Sequence, residues 1–252
     1  MLIDTHCHIH DADYPLSAEE VIENAHKADV LQMICIGTNE PDSRLALDFA
    51  KKHDGVFAAI GLYPQYAAEN LDWLPDLITN SDKKLVAIGE IGLDYHYDDC
   101  PHDVQIKALE LQIKLALRHD LPIIFHVREA FDDFWPIFDS FKSSNIRGVL
   151  HSFTDNAENA QKGIDRGLLI GVNGYSTFTK DESQKIMFAN LPIDKMLFET
   201  DAPFLTPAPL RGKVNESAYV KNIAQFHSAI RGISLEKIAD VTTANAKTLF
   251  KL

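Results

Sequence analysis

The chain has 252 residues, of which 46% are hydrophobic and 24% are charged. This balance is typical of a globular protein with a sizeable core, and it excludes a disordered or fibrous chain. The net charge of −13 argues against a broad electrostatic grip on duplex nucleic acid, because such binding requires many lysines and arginines. An acidic substrate would therefore need a local cationic site.

The lack of a predicted signal peptide and the pattern of the cysteines both indicate a cytoplasmic protein. The first charged residue, Asp4, comes too early for a signal peptide, and the sequence has no apolar run long enough for a membrane span. The three cysteines form no paired spacing, as expected of reduced thiols. We expect a cytoplasmic protein without membrane association, and nothing in the sequence indicates an obligate protein partner.

Short runs rich in Val, Ile and Leu recur along the chain and predict eight strands. Segments with apolar residues at helical spacing lie between most of them, as at Leu109, Ile113 and Leu117. Such alternation is typical of a parallel sheet covered by helices, and eight units favour a closed barrel. We predict one domain over 1–252, a (β/α)₈ TIM-type barrel with strands at 2–3, 31–36, 56–60, 85–88, 122–125, 148–150, 168–170 and 196–198.

Candidate metal ligands occur at the ends of these strands. His6 and His8 are two residues apart on the first strand, so both imidazoles face one side while Cys7 faces the other. Four further candidates close or follow later strands, and the carboxyl ends of barrel strands share one rim. These four are Glu90, His126, His151 and Asp201.

Any one of these six residues could equally be a solvated polar group at a strand end. Together they would be costly to bury unless a cation neutralised the carboxylates. Nitrogen and oxygen ligands without thiolate suit zinc, manganese, iron or magnesium, and six ligands exceed what one catalytic zinc uses. The sequence therefore predicts two divalent metal ions at the carboxyl-terminal rim of the barrel.

Five motifs in this order resemble the TatD family of metal-dependent deoxyribonucleases, within the amidohydrolase-like barrel superfamily. The resemblance covers nearly the whole chain and rests on residues 3–8, 89–95, 122–128, 150–153 and 199–203. It implies that one metal is held by His6, His8 and Asp201, the other by His126 and His151, with Glu90 bridging both.

The bridging position separates this chain from many superfamily relatives, which use a carbamylated lysine there. Glu90 is a fixed carboxylate and favours the TatD family.

Two departures from the family pattern concern the substrate. Relatives usually carry histidine at the position of Tyr63, and the basic stretch 211–217 has Val214 and Ser217 where the family has arginine and proline.

A two-metal site activates water for in-line phosphoryl displacement. We assign catalytic roles to Glu90 as the bridge and to Asp201 as ligand and proton acceptor; the alternative for Asp201 is a ligand only. Asp94 could orient a ligand histidine or cap a turn. The candidate substrate contacts are Arg128, Arg211, Lys213 and Tyr63. Tyr95 and Phe153 are further aromatic residues past strand ends. Each of these residues could instead be a surface charge or a core aromatic.

Three functions compete. The first is a phosphodiesterase acting on DNA, and the resemblance implies a 3′–5′ exonuclease on single-stranded ends. The second is hydrolysis of an amide, ester or lactone, because the same activated water also attacks carbonyl carbon. The third is a non-catalytic metal-binding or scaffold protein, which would not need Asp201.

Overall fold

The computed structural model describes residues 1–141 and 144–252, and within these two stretches the chain alternates strands with helices. The strands β1 to β8 are Leu2–Cys7, Val30–Ile36, Val56–Ile60, Leu85–Asp94, Ile123–Arg128, Gly148–Leu150, Leu169–Val172 and Met196–Phe198. The helices α1 to α9 are Ala18–Lys27, Glu40–Lys52, Trp73–Thr79, His102–Arg118, Phe131–Ser140, Ala157–Asp165, Glu182–Asn190, Val220–Arg231 and Leu235–Phe250.

The eight strands form one parallel sheet in sequential order, with β1 and β8 at its two ends. An isolated parallel bridge between Cys7 and Ala202 brings these ends together. The predicted (β/α)₈ TIM-type barrel is confirmed.

Hydrogen bonds across the β1–β8 seam also fix the backbone of three candidate ligands. The Asp201 amide donates to the His6 carbonyl at 2.9 Å, and the His8 amide donates to the Ala202 carbonyl at 2.8 Å. Below them, the buried Asp4 carboxylate accepts the Thr200 amide at 2.8 Å and the Thr200 hydroxyl at 2.6 Å. Closure of the barrel and placement of His6, His8 and Asp201 are therefore one structural feature.

Strand β4 is longer than the sequence predicted. The apolar run stops at Ile88, but the strand continues to Asp94 because residues 91–94 pair with β5 after a register shift. Glu90 therefore lies within β4 and does not close it, which corrects the expected strand end. His126 likewise lies inside β5, two residues before its last residue, Arg128.

Two apolar layers surround the strands. One lies between the sheet and the surrounding helices, and it includes Cys7, so this side chain packs away from the candidate ligands. The other joins buried side chains of several strands to Ala246, Leu249 and Phe250 of α9. The last helix thus helps to fill the barrel interior.

Helix α4 fixes the rim ends of two strands with buried amides. Gln112 accepts the Leu62 amide at 2.7 Å and donates to the Leu62 carbonyl, just past β3. Gln105 makes the same pair of bonds with Asp94 at the end of β4. Close packing in β4 also requires Gly92, where a Cβ atom would lie 1.7 Å from the His126 carbonyl oxygen.

Among the helices of the described residues, none combines the length and the apolar character that crossing a membrane would need.

Candidate metal centre

The structure brings all six candidate ligands together at the carboxyl-terminal rim. Asp201 Oδ1 lies 3.6 Å from Nε2 of both His6 and His8, and 3.9 Å from His151 Nε2. The Glu90 carboxylate lies between His6 and His151, with Oε2 at 3.5 Å from His6 Nε2 and Oε1 at 3.5 Å from His151 Nε2. The shortest contact joins Glu90 Oε1 to His126 Nδ1 at 2.6 Å.

Two overlapping triads of these residues offer ligand atoms within 4.8 Å of one another. They are His6, His8 and Glu90, and Glu90, His126 and His151. Glu90 belongs to both, which is the placement that a bridging carboxylate needs. The His6 and His151 rings stack between the triads with their centroids 3.4 Å apart.

The outward nitrogens of the four histidines have different partners. His8 Nδ1 donates to the Ile36 carbonyl at 3.0 Å. His126 Nε2 forms a hydrogen bond of 3.0 Å with Asp94 Oδ2. His151 Nδ1 lies 3.0 Å from Glu199 Oε1, an ion-pair distance without hydrogen-bond geometry. For His6, neither ring nitrogen has a hydrogen-bond partner among the residues that the structure describes.

Burial and mutual charge set the ionisation of this cluster. Burial favours the neutral form of Glu90, but the charges of His151 and His126 hold its pKa well below the ordinary value. Asp201 follows the same balance, with its pKa lowered to about 2 by His8, His151 and His6 against the effect of burial. Burial opposes a charged His151, yet Glu199 and Glu90 raise its pKa to about 10. Without metal, protons on imidazoles compensate ionised carboxylates.

The chemistry of these residues fits divalent cations. Four carboxylates face the histidines, and their side chains are 5%, 0%, 1% and 16% exposed for Glu90, Asp94, Glu199 and Asp201. Two divalent ions would balance these four charges with all imidazoles neutral, the form that binds metal. His6 is also fully buried without a hydrogen-bond partner for either ring nitrogen among the described residues, and a cation would accept the lone pair of one of these nitrogens.

Comparison with known proteins identifies the family. Residues 3–251 match the family described as TatD related DNase. The chain belongs to this family.

Relatives and solved structures agree with the match. A Bacillus subtilis protein named uncharacterized metal-dependent hydrolase YabD is 38% identical over the full length of both chains. The 3′–5′ ssDNA/RNA exonuclease TatD of Salmonella typhimurium is 30% identical, covering 100% of this chain and 99% of the relative. The crystal structure of the Escherichia coli TatD homologue YjjV superposes with a TM-score of 0.93 at 29% identity, covering 100% and 98% of the two chains.

Around the TatD-family centre, the predicted cationic contacts are exposed. Arg128 lies over the Tyr97 ring at 5.4 Å and forms no ion pair with any residue of the two described stretches. Arg211 stacks on Phe178 at 3.8 Å and donates to the Thr206 carbonyl, so its guanidinium already has partners. Lys213 is exposed in the same loop after β8.

The predicted aromatic contacts are largely engaged within the protein. The Tyr63 hydroxyl donates to Asp94 Oδ2 at 2.8 Å, and Phe153 is buried in the core. Tyr95 stacks on His102 and donates to Asp133. Asp94 makes the contacts of both predicted roles. It contacts the candidate ligand His126, and it accepts the His96 amide in a turn at 3.0 Å.

Two residues at the rim received no role from the sequence. Glu199 is buried behind His151, and the signal for it was a carboxylate directly after the apolar run of β8. Phe204 is 63% exposed three residues after Asp201, and its amide donates to the Asp201 carbonyl at 2.8 Å. No periodicity marks an exposed aromatic in a loop.

If the cluster holds metal, a divalent cation will stabilise the fold. Metal in about 100-fold excess over its dissociation constant should add about 2.7 kcal/mol of stability, a rise in Tm of about 5–10 °C. The measurement is thermal unfolding of chelator-treated protein with added Zn²⁺, Mn²⁺ or Mg²⁺. His151→Ala should lose most of the rise, and the exposed His26→Ala should retain it; an equal rise in both variants would contradict the site.

Proposed function

We propose that this protein is a metal-dependent phosphodiesterase that hydrolyses DNA, removing nucleotides from the 3′ end of single strands. The observation that carries the proposal is Glu90, a buried carboxylate shared by two triads of candidate ligands. Family membership supports the coarser assignment as a metal-dependent hydrolase. The relative named as a 3′–5′ ssDNA/RNA exonuclease supports the substrate and the direction.

In this proposal His6, His8 and Asp201 would hold one cation, His126 and His151 would hold the other, and Glu90 would be a ligand of both. When bound, such a pair of cations activates a water and stabilises the attacking and leaving oxygens of a phosphoryl displacement. The base of the site is shielded from solvent, because His6 is fully buried and the Glu90 side chain is 5% exposed. Electrostatic stabilisation is stronger in such an environment than in water.

Asp201 takes the proton of the attacking water. It is the most exposed of the four carboxylates, at 16%, so it lies nearest the solvent that delivers water and substrate. Its pKa is lowered to about 2, so the side chain is ionised at neutral pH, the form that both a metal ligand and a proton acceptor require. The backbone φ of 58° at Asp201 is a conformation that Asp and Asn adopt more readily than most residues.

Substrate binding falls to cations and aromatics around the rim. Arg128 has a free guanidinium fork suited to phosphate oxygens, and Lys213 adds charge from the loop after β8. The exposed ring of Phe204 offers a face on which an unpaired base can stack. A few local contacts of this kind suit a single-stranded end better than an extended duplex on a chain of net charge −13.

Two isosteric variants test the catalytic assignment. Asp201→Asn, which keeps the backbone preference, and Glu90→Gln should each lower kcat on a labelled single-stranded oligonucleotide by at least about 100-fold. The control is Glu129→Gln, which alters an exposed carboxylate that contacts His96. Wild-type rates in both variants would overturn the mechanism. Hydrolysis of aryl esters or lactones without any cleavage of oligonucleotides would favour the carbonyl hydrolase.

Substitution of Arg128 tests the substrate contact. Arg128→Gln should raise KM for oligonucleotides several-fold and reduce the slope of log(kcat/KM) against log[salt] by about one, because one phosphate contact is lost. A small aryl phosphodiester should be hydrolysed at the wild-type rate. Lys107→Gln on α4, where the lysine pairs with Asp103, is the matched control. An unchanged salt slope would remove Arg128 from the binding site.

A further inference from the structure

The two proposed metal positions differ in the number of residues that face them. The position of His6 and His8 also has Asp201, whose Oδ1 is 3.6 Å from both Nε2 atoms. The position of His126 and His151 has these two imidazoles and the shared Glu90. Asp201 Oδ1 is farther from it, at 3.9 Å from His151 Nε2. With one direct ligand fewer, the second position would be expected to bind a cation less well.

The groups behind the histidines have the opposite distribution. Behind His8 lies the neutral carbonyl of Ile36, and His6 Nδ1 has no hydrogen-bond partner within the described part of the chain. Behind His126 and His151 lie the carboxylates of Asp94 and Glu199, each 3.0 Å from the outward nitrogen. Both of these carboxylates therefore lie behind the position that has fewer direct ligands.

Glu199 is fixed in this arrangement by its surroundings. Its side chain is 1% exposed, and Oε1 accepts the Ser152 amide at 2.6 Å. The carboxylate rests against Gly171 of β7, where a Cβ atom would lie 2.6 Å from Oε2. Asn173 at the end of β7 holds Ser152 in turn, donating to its hydroxyl at 2.7 Å. This buried carboxylate is therefore held in place 3.0 Å from Nδ1 of His151.

We propose that Glu199 and Asp94 are positioning residues that selectively strengthen metal binding at the His126–His151 position and so compensate for its missing ligand. A carboxylate behind a histidine fixes the tautomer and aligns the ring. It also makes the nitrogen that faces the metal a stronger ligand. Its charge also attracts the cation through an interior where screening is weak. The inference rests on the metal-binding part of the proposed function and does not depend on the substrate.

The test is calorimetric titration of chelator-treated full-length protein with Mn²⁺. The wild type should bind two ions per chain in resolvable steps. Glu199→Gln should weaken one step by about 10–100-fold and leave the other unchanged. Asp94→Asn, which acts on the other histidine of the same position, should weaken the same step. The control Glu216→Gln alters a buried carboxylate that pairs with Asn24 and should leave both steps unchanged.

Nuclear magnetic resonance of ¹⁵N-histidine protein loaded with Zn²⁺ provides a readout that loss of stability alone would not produce. Glu199→Gln should shift the ring nitrogens of His151 more than those of His8. Two steps that weaken equally, or a Glu199→Gln profile identical to wild type, would overturn the inference while leaving the two-metal site intact. Fewer than two ions bound by the wild type would overturn both. Absence of nuclease activity with the selective loss present would contradict only the substrate.

Discussion

The rim of this barrel concentrates four carboxylates and four imidazoles in a space that water scarcely reaches. Ionised groups of one sign are costly in such an environment unless opposite charges meet them at contact distance. In the metal-free protein, protons on the histidines supply that charge, which is why His151 has a raised pKa and Glu90 a lowered one. Two divalent cations would replace these protons, and the same charge balance would then serve catalysis.

The fold keeps these groups together by fixing the strand ends from outside the cluster. Asp4 and Thr200 join β1 to the end of β8, and the buried glutamines of α4 hold the ends of β3 and β4. The side chains that make these bonds are not themselves candidate metal ligands. The rim is thus organised before any cation binds, which lowers the cost of ordering the ligands.

The sequence predicted the barrel and the convergence of the candidate ligands well, because both depend on short, strong patterns. Apolar runs ending in His or a carboxylate identify strand ends, and the topology of a parallel barrel brings those ends together. It predicted the length of β4 poorly, because residues 91–94 are held by pairing with β5 rather than by an apolar pattern of their own. The bonding of Tyr63 to Asp94 and the exposure of Phe204 also depend on tertiary contacts. Glu199 lay within a recognised motif, but only its 3.0 Å approach to His151 reveals a role.

The central claim is that one rim holds two cations that share Glu90. Crystals grown with Zn²⁺ and measured at the zinc absorption edge would test it most directly. We expect two anomalous peaks about 3.5–4 Å apart, both in contact with Glu90. One should also contact His6, His8 and Asp201, and the other His126 and His151. A single peak, or two peaks that do not share Glu90, would contradict it.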